Sequence, residues 1–446
     1  MYIPHTDADR EEMLKTIGVK SLEDLFGSLP KEHLFRHLNL PPAITEMEAF
    51  NELKYIASVN ETTENLTCFL GAGAYNHYIP AAVDQILRRG EFYTAYTPYQ
   101  PEISQGTLQA IFEYQSLISA ITGMDVSNAS HYDGATAVAE AVNMAYHQFR
   151  GKRKKFILSP GLNPQYLETV HTYIPIDGNQ FLGEDLPLSS PPSALYDLID
   201  EETALIVVQY PDFFGRIYDY TQLIRKAHDT KTLVAIHVNP LSLGILKTPG
   251  AMDADIVTAE GQPLGIPLAF GGPYLGIFAS KKEYVRKMAG RIVGETRDNK
   301  GNRGYVLTLS TREQHIRREK ATSNICSNQG LMTLAVAVYL SLLGKQGLRQ
   351  VATLNYDKAH YAADAITSIP GFELVFDTPF FNEFTIKCPV SAKKINEYLL
   401  DNDIIGGLDL SEYYPALKNQ MLIAVTEMIS RDDIDALVDL LSEVAK

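Results

Sequence analysis

Four short runs set the architecture: Phe156-Ile-Leu158, Leu205-Ile-Val-Val208, Leu233-Val-Ala-Ile236 and Ile256-Val257 are apolar without interruption. A strand wetted on one face alternates polar with apolar residues, so a continuous run demands burial on both faces. The stretches between them are long enough for crossover helices, which the patterning places at 104–122, 135–150, 163–171 and 220–230. Residues 66–327 therefore read as one large α/β domain with a mostly parallel sheet.

The flanks differ from this body. Near the N-terminus, Thr6 or Asp7 can cap a helix running to Ile17, and Ser21-Leu-Glu-Asp24 has capping-box form. A third helix is predicted over 45–59, with Met47, Phe50, Leu53 and Ile56 on one face. Residues 1–65 thus read as a helical arm wrapping a larger body. Beyond Asn328 a long helix runs to about Leu343, followed by strands at 372–376 and 384–386, a helix at 391–400 and a strand at 421–425. The last helix is capped by Ser430-Arg-Asp-Asp433 and carries Ile434, Leu437, Val438, Leu441 and Val444 on one face. Residues 328–446 read as a linking helix and a small α+β domain. These three parts fit a chain of 446 residues, a length that suggests two to four domains.

Charge and cysteine usage exclude several functions. With 39 basic against 54 acidic side chains the net charge is −15, opposite to the field that nucleic-acid binding uses. The one compact basic cluster, Lys152-Arg-Lys-Lys155, reads as a solvated turn before a strand. Cys68, Cys326 and Cys388 are odd in number and lack C-x-x-C spacing. That argues against a disulfide framework or zinc site and for a reducing, cytoplasmic setting. The N-terminus lacks a signal-peptide pattern, and Leu331 to Leu343 is too short and too interrupted to cross a bilayer, so no membrane association is expected.

Four segments can carry chemistry. Gly71-Ala-Gly-Ala-Tyr-Asn-His77 pairs glycines that allow close backbone approach, although by itself a tight turn is the better account of them. The stretch from Phe92 to Gly106 holds Tyr93, Tyr96, Tyr99, Gln100, Glu102, Ser104 and Gln105 together with Pro98 and Pro101. It is a stiff, aromatic loop with polar tips, suited to the wall of a binding site. Ser130-His-Tyr-Asp-Gly-Ala-Thr136 opens a helix. Its free N–H groups and Gly134 could seat an anion, whereas Asp133 could simply cap it. The run from Thr311 to Gln329 is charged first and small and polar later, either a charged helix face or part of a site. P-loop, H-E-x-x-H and G-x-S-x-G motifs are missing, and His77, His131, His237 and His315 have no metal-ligand spacing.

Together these segments resemble the P-protein of the glycine cleavage system, glycine dehydrogenase (decarboxylating). The resemblance rests on FLGAGAYNHYIPAAV (69–83), YTAYTPYQPEISQG (93–106), SHYDGATAVAEA (130–141), GQPLGIPLAFGGPYLG (261–276) and TREQHIRREKATSNICSNQ (311–329), in family order. It implies the fold of type I pyridoxal-phosphate (PLP) enzymes, the aspartate aminotransferase-like fold. In such enzymes a lysine forms a Schiff base with PLP and an acid faces the ring nitrogen. Here residues 251–280 contain no lysine, and aligning on Gly271-Gly-Pro273 puts Gln262 at the lysine position. Upstream, His237-Val-Asn239-Pro offers no acid.

The resemblance accounts for this loss. Some bacteria split the P-protein into two chains, and only one keeps the lysine; this chain is similar to the other, the alpha chain. An alpha2–beta2 heterotetramer is implied, with PLP on the beta chain (subunit 2) and the active site between the two. The implied reaction releases CO2 from glycine and moves the aminomethyl group to the lipoyl arm of H-protein. The expected wall from this chain is Tyr93, Tyr96, Tyr99, Gln100, Glu102, Ser104 and Gln105, with Ser130, Asp133, Gly134 and Thr136, and no metal. Two other readings compete: a silent homologue that only binds or regulates a partner, and an independent PLP enzyme with a displaced lysine.

Overall fold

The four apolar runs become neighbouring strands of a seven-stranded sheet in the computed structural model, which describes residues 4–34, 39–174 and 178–444. In chain order the strands are β1 (Val126–Ser127), β2 (Lys155–Leu158), β3 (Gln180–Leu182), β4 (Thr203–Tyr210), β5 (Leu233–Val238), β6 (Ile256–Glu260) and β7 (Gly276–Ser280). They lie in the order β1-β7-β6-β5-β4-β2-β3. Pairing is parallel from β3 across to β6, and only β7 runs against its neighbours.

Alternate residues of each run enter different cores. Leu205 and Val207 pack with Phe156, Leu158 and Ala235 beneath helices Gly134–Gln148 and Pro164–Tyr173. Ile206 and Val208 pack with Ile157, Val234 and Ile236 on the other face, beneath helices Gln105–Thr122 and Thr221–Asp229. Double-sided burial thus explains the uninterrupted apolar pattern.

A 38-residue helix, Gly330–Thr367, leaves the large sheet for the small one. Gly344, at φ 57° and ψ −174°, breaks its regular geometry where the prediction ended it, yet the chain then resumes as helix. By length and composition this helix could cross a membrane, but Leu334, Val336 and Leu340 lie in the core of the large sheet. Beyond it, Glu373–Leu374, Glu383–Lys387, Gln420–Ala424 and Leu408–Asp409 form a four-stranded antiparallel sheet in that spatial order. Helices Ala392–Leu400 and Arg431–Val444 cover it through Ile395, Leu399, Ile434, Leu437 and Leu441. An antiparallel hairpin that the pattern did not predict, Ile292–Arg297 with Arg303–Thr308, projects from the large domain.

Residues 62–446 form one compact unit, and residues 1–61 another. In the latter, helices Asp7–Ile17 and Glu46–Ala57 carry complete capping boxes, Thr6 with Asp9 and Thr45 with Glu48. Met47, Phe50, Leu53 and Ile56 do share a face, and all four are exposed.

Candidate functional site

Two clefts lie near the predicted wall residues, and Tyr93, Tyr96 and Asp133 line them. The first lies beyond the carboxyl ends of β5 and β6, where ligands of parallel sheets bind. Three stretches converge there: residues 71–75, the start of helix Gly134–Gln148 (hereafter α1), and Asn382-Glu383 of the small sheet. The adjoining cavities of this cleft measure about 30 and 340 Å³, the smaller one deep among Tyr75, His237, Asn239, Glu260 and Asn382.

Gln262, buried beside this cleft, is a two-ended clamp. Its Oε1 accepts from the Tyr75 N–H at 2.9 Å, and its Nε2 donates to the carbonyls of Tyr75 and Ile266, both at 2.9 Å. Glu383 pins the same loop from the other side, accepting from the Ala72 N–H at 2.6 Å and the Tyr75 hydroxyl at 2.7 Å. A Cβ at Gly71 would collide with Glu383 Oε1 and Ala424 Cβ, so only glycine fits there. Burial pushes the carboxyls of both Glu260 and Glu383 up to about 7, and it holds His237 down at about 3, neutral.

The lining of this cleft does not match PLP. Its deep part has room for about two waters. The position that needs a lysine holds an amide engaged at both ends. Three carboxylates, Asp133, Glu260 and Glu383, line the cleft, with no lysine or arginine among the described lining residues.

Asp133, Gly134 and Thr136 belong to this first cleft. Asp133 caps α1 in a reciprocal box with Thr136, whose N–H reaches Asp133 Oδ1 at 2.8 Å. The capping alternative is therefore the one realised.

The second cleft gathers the tyrosine loop and the small polar run. About 300 Å³ in volume and mainly apolar, it is lined by Tyr93, Tyr96, Thr97 and Pro98 on one side and by Ser327, Asn328 and Leu331 on the other. Tyr96 is 81% exposed at its wall. Thr97 and Ser327 hydroxyls bond directly across it. Ser130 lies behind this wall, its carbonyl accepting from Asn328 Nδ2 at 2.8 Å and its Oγ from the Gln329 N–H at 3.3 Å.

Arg291 holds these pieces together, and the sequence reading missed it. Its Nη1 donates to Glu313 Oε2 at 2.7 Å, while Nη2 donates to the Tyr99 hydroxyl at 3.0 Å and reaches Cys326 Sγ at 3.2 Å. Both charged groups are buried, so one guanidinium ties three separate stretches of sequence to one point. The stretch 311–329 forms no charged helix face: only short turns occur at Ser310–Arg312, Gln314–Arg317 and Arg318–Lys320, and irregular backbone follows.

The remaining predicted residues have other positions. Gln105 brackets Tyr305, its Nε2 donating to the carbonyl and its Oε1 accepting from the N–H, both at 2.8 Å, which fastens the loop to the hairpin. Ser104 is the N-cap residue of Gln105–Thr122 but makes no side-chain capping bond. Gln100 and Glu102 are exposed and line neither cleft.

Known proteins resemble the chain along its whole length. The sequence profile of a family described as the glycine cleavage system P-protein matches residues 1–441. A Thermomicrobium roseum protein named probable glycine dehydrogenase (decarboxylating) subunit 1 is 51% identical over 447 residues, 99% of each chain. Its namesake in Desulforamulus reducens is 50% identical over 448 residues, all of both chains. Among solved structures, glycine decarboxylase (P-protein) of the glycine cleavage system, in inhibitor-bound form, superimposes with a TM-score of 0.91 at 41% identity, each chain covered in full. Glutamate decarboxylase of Lactobacillus brevis shares the fold alone, with a TM-score of 0.66 at 12% identity over 94% of this chain and 96% of that one. The mostly parallel α/β fold of type I PLP enzymes is thus borne out, and the chain belongs to the glycine cleavage system P-protein family.

Proposed function

We propose that this chain is the lysine-free alpha subunit of a two-chain P-protein, in a cytoplasmic alpha2–beta2 heterotetramer. With the beta subunit it decarboxylates glycine, releases CO2 and passes the aminomethyl group to the lipoyl arm of H-protein. The observation that carries this reading is the doubly engaged Gln262 at the lysine position, beside a cleft lined by carboxylates, within a chain matching subunit 1 proteins end to end. PLP belongs on the partner, where its ring supplies the electron sink that decarboxylation needs.

This chain's part is to orient reactants and exclude water. The second cleft suits that task. Apolar residues line most of it, tyrosine hydroxyls stand along its wall, and the Arg291 network keeps the two sides in register.

Exchange of labelled bicarbonate into glycine tests the reading. Exchange is expected from the mixture of this chain with its beta partner and from neither alone. Exchange by the lone chain would refute the subunit assignment, and none in the mixture would favour a silent homologue. In the active mixture Tyr96→Phe is expected to lower turnover about tenfold, the equivalent of one lost hydrogen bond of about 1.4 kcal/mol. Unchanged turnover would remove Tyr96 from the wall.

A further inference from the structure

A helix start with glycine at its first position is a ready anion seat, because its N–H groups have no partner within the helix. Two carboxylates of this chain already take those donors in α1. Asp133 Oδ1 holds the Thr136 N–H. The Gly134 N–H goes to Glu260 Oε2 at 2.9 Å, from a residue 126 positions away. The other oxygen of Glu260 accepts from the Gln262 N–H at 2.9 Å and the Leu275 N–H at 3.2 Å. Three backbone donors thus converge on one carboxylate, as they would on a bound anion.

Burying an acid at the end of an apolar strand costs free energy unless its oxygens are fully engaged. Glu260 meets that condition. Gly134 permits this close approach: a Cβ added there would lie 3.0 Å from the backbone nitrogen of Glu260 and 3.0 Å from His237 Cε1.

We infer that the Glu260 carboxyl group stands in for a bound anion: it fills the phosphate seat at the start of α1 and closes the cleft to phosphate-bearing ligands, PLP among them. The inference rests on the proposal that this chain holds no cofactor, and adds which side chain excludes it. Asp133 reinforces the exclusion, since it lines the cleft and repels a second anion. Loss of the lysine alone would leave a cleft able to hold PLP without a covalent bond; Glu260 removes that option.

The test uses the assembled protein with its second subunit, because mass spectrometry assigns each signal to its own chain. The proteins are wild type, Glu260→Ala, Gln262→Lys and the double variant. After incubation with PLP and borohydride reduction, phosphopyridoxyl label at position 262 is expected to be about tenfold higher in the double variant than in the Gln262→Lys single variant. Equal labelling of the two would overturn the inference and leave the subunit reading intact. PLP held in this cleft by wild type would overturn both.

Amide hydrogen exchange decides the matter even if the double variant fails to assemble. Glu260→Ala is expected to speed exchange at residues 134–136 about tenfold, and millimolar inorganic phosphate to restore protection there while leaving wild type unchanged. Exchange that phosphate does not slow would mean that Glu260 is only a brace.

Discussion

Arg291→Ala is expected to destabilise the chain by about 3–5 kcal/mol, because it strands the buried Glu313 carboxylate without its counter-charge. The guanidinium serves three partners at 2.7, 3.0 and 3.2 Å, so its removal also frees the Tyr99 hydroxyl and the Cys326 thiol. Denaturant unfolding measures the first effect as a lower midpoint. Arg291→Lys keeps the charge but not the planar fork, so it should recover part of the stability while leaving Tyr99 or Glu313 unserved. Replacing Arg291 and Glu313 together by apolar residues of similar size should cost less than the single change, because the carboxylate is no longer left without its bonded guanidinium. Equal losses in the single and double variants would show that packing, not charge, dominates here. With the beta partner present, the alanine variant should lose glycine turnover at temperatures where it is still folded, since the walls of the second cleft then separate.

Between pH 4.5 and 7 the stability of the chain should fall as pH rises, through Glu260 and Glu383. Both carboxyls stand at about 7 in the folded chain against an ordinary 4.5, chiefly through burial. The folded state therefore holds protons that the unfolded chain has already released. Such groups contribute most below the unfolded value, and the contribution is lost as pH climbs through the folded one. At 1.36 kcal/mol per pH unit, each carboxyl accounts for about 2–3 kcal/mol across that window. Glu383→Gln mimics the protonated form, so its stability curve should be flatter than that of wild type. The two curves should converge near pH 5 and separate by pH 8; parallel curves would exclude Glu383 as the source.

How much of this was legible depended on range in sequence. Leu205 to Val208 announced a doubly buried strand because each residue met a core on its own side of the sheet. Thr6, Thr45, Asp133 and Ser391 announced helix starts because capping is local. The second half of helix Gly330–Thr367 escaped notice because Ala352, Ala359, Ala362 and Ala363 bury small side chains and trace no strong apolar stripe. The hairpin escaped because Glu295, Thr296 and Arg297 face solvent outside any core.

The site was legible as ingredients, not as an arrangement. The tyrosine loop and the 321–328 run both stood out and do share a cleft. Ser130 and the start of α1 had been grouped as one wall, yet they serve different clefts. Nothing near Arg291 forms a pattern, since its partners lie 192, 35 and 22 positions away. Glu260 and Glu383 looked like ordinary polar ends of strands, and their contacts span 126 and 311 positions.

The two-ended bonding of Gln262 has an evolutionary consequence. A single substitution to lysine supplies the reactive amine but removes the acceptor of the buried Tyr75 N–H, a loss of about 1–3 kcal/mol, before any cofactor can enter. A substitution at Glu260 alone opens a seat with nothing to fill it. Each step back toward an autonomous enzyme is therefore harmful until the others have been taken. Such sign epistasis works as a ratchet, and on the proposed subunit reading it ties the chain to its second subunit.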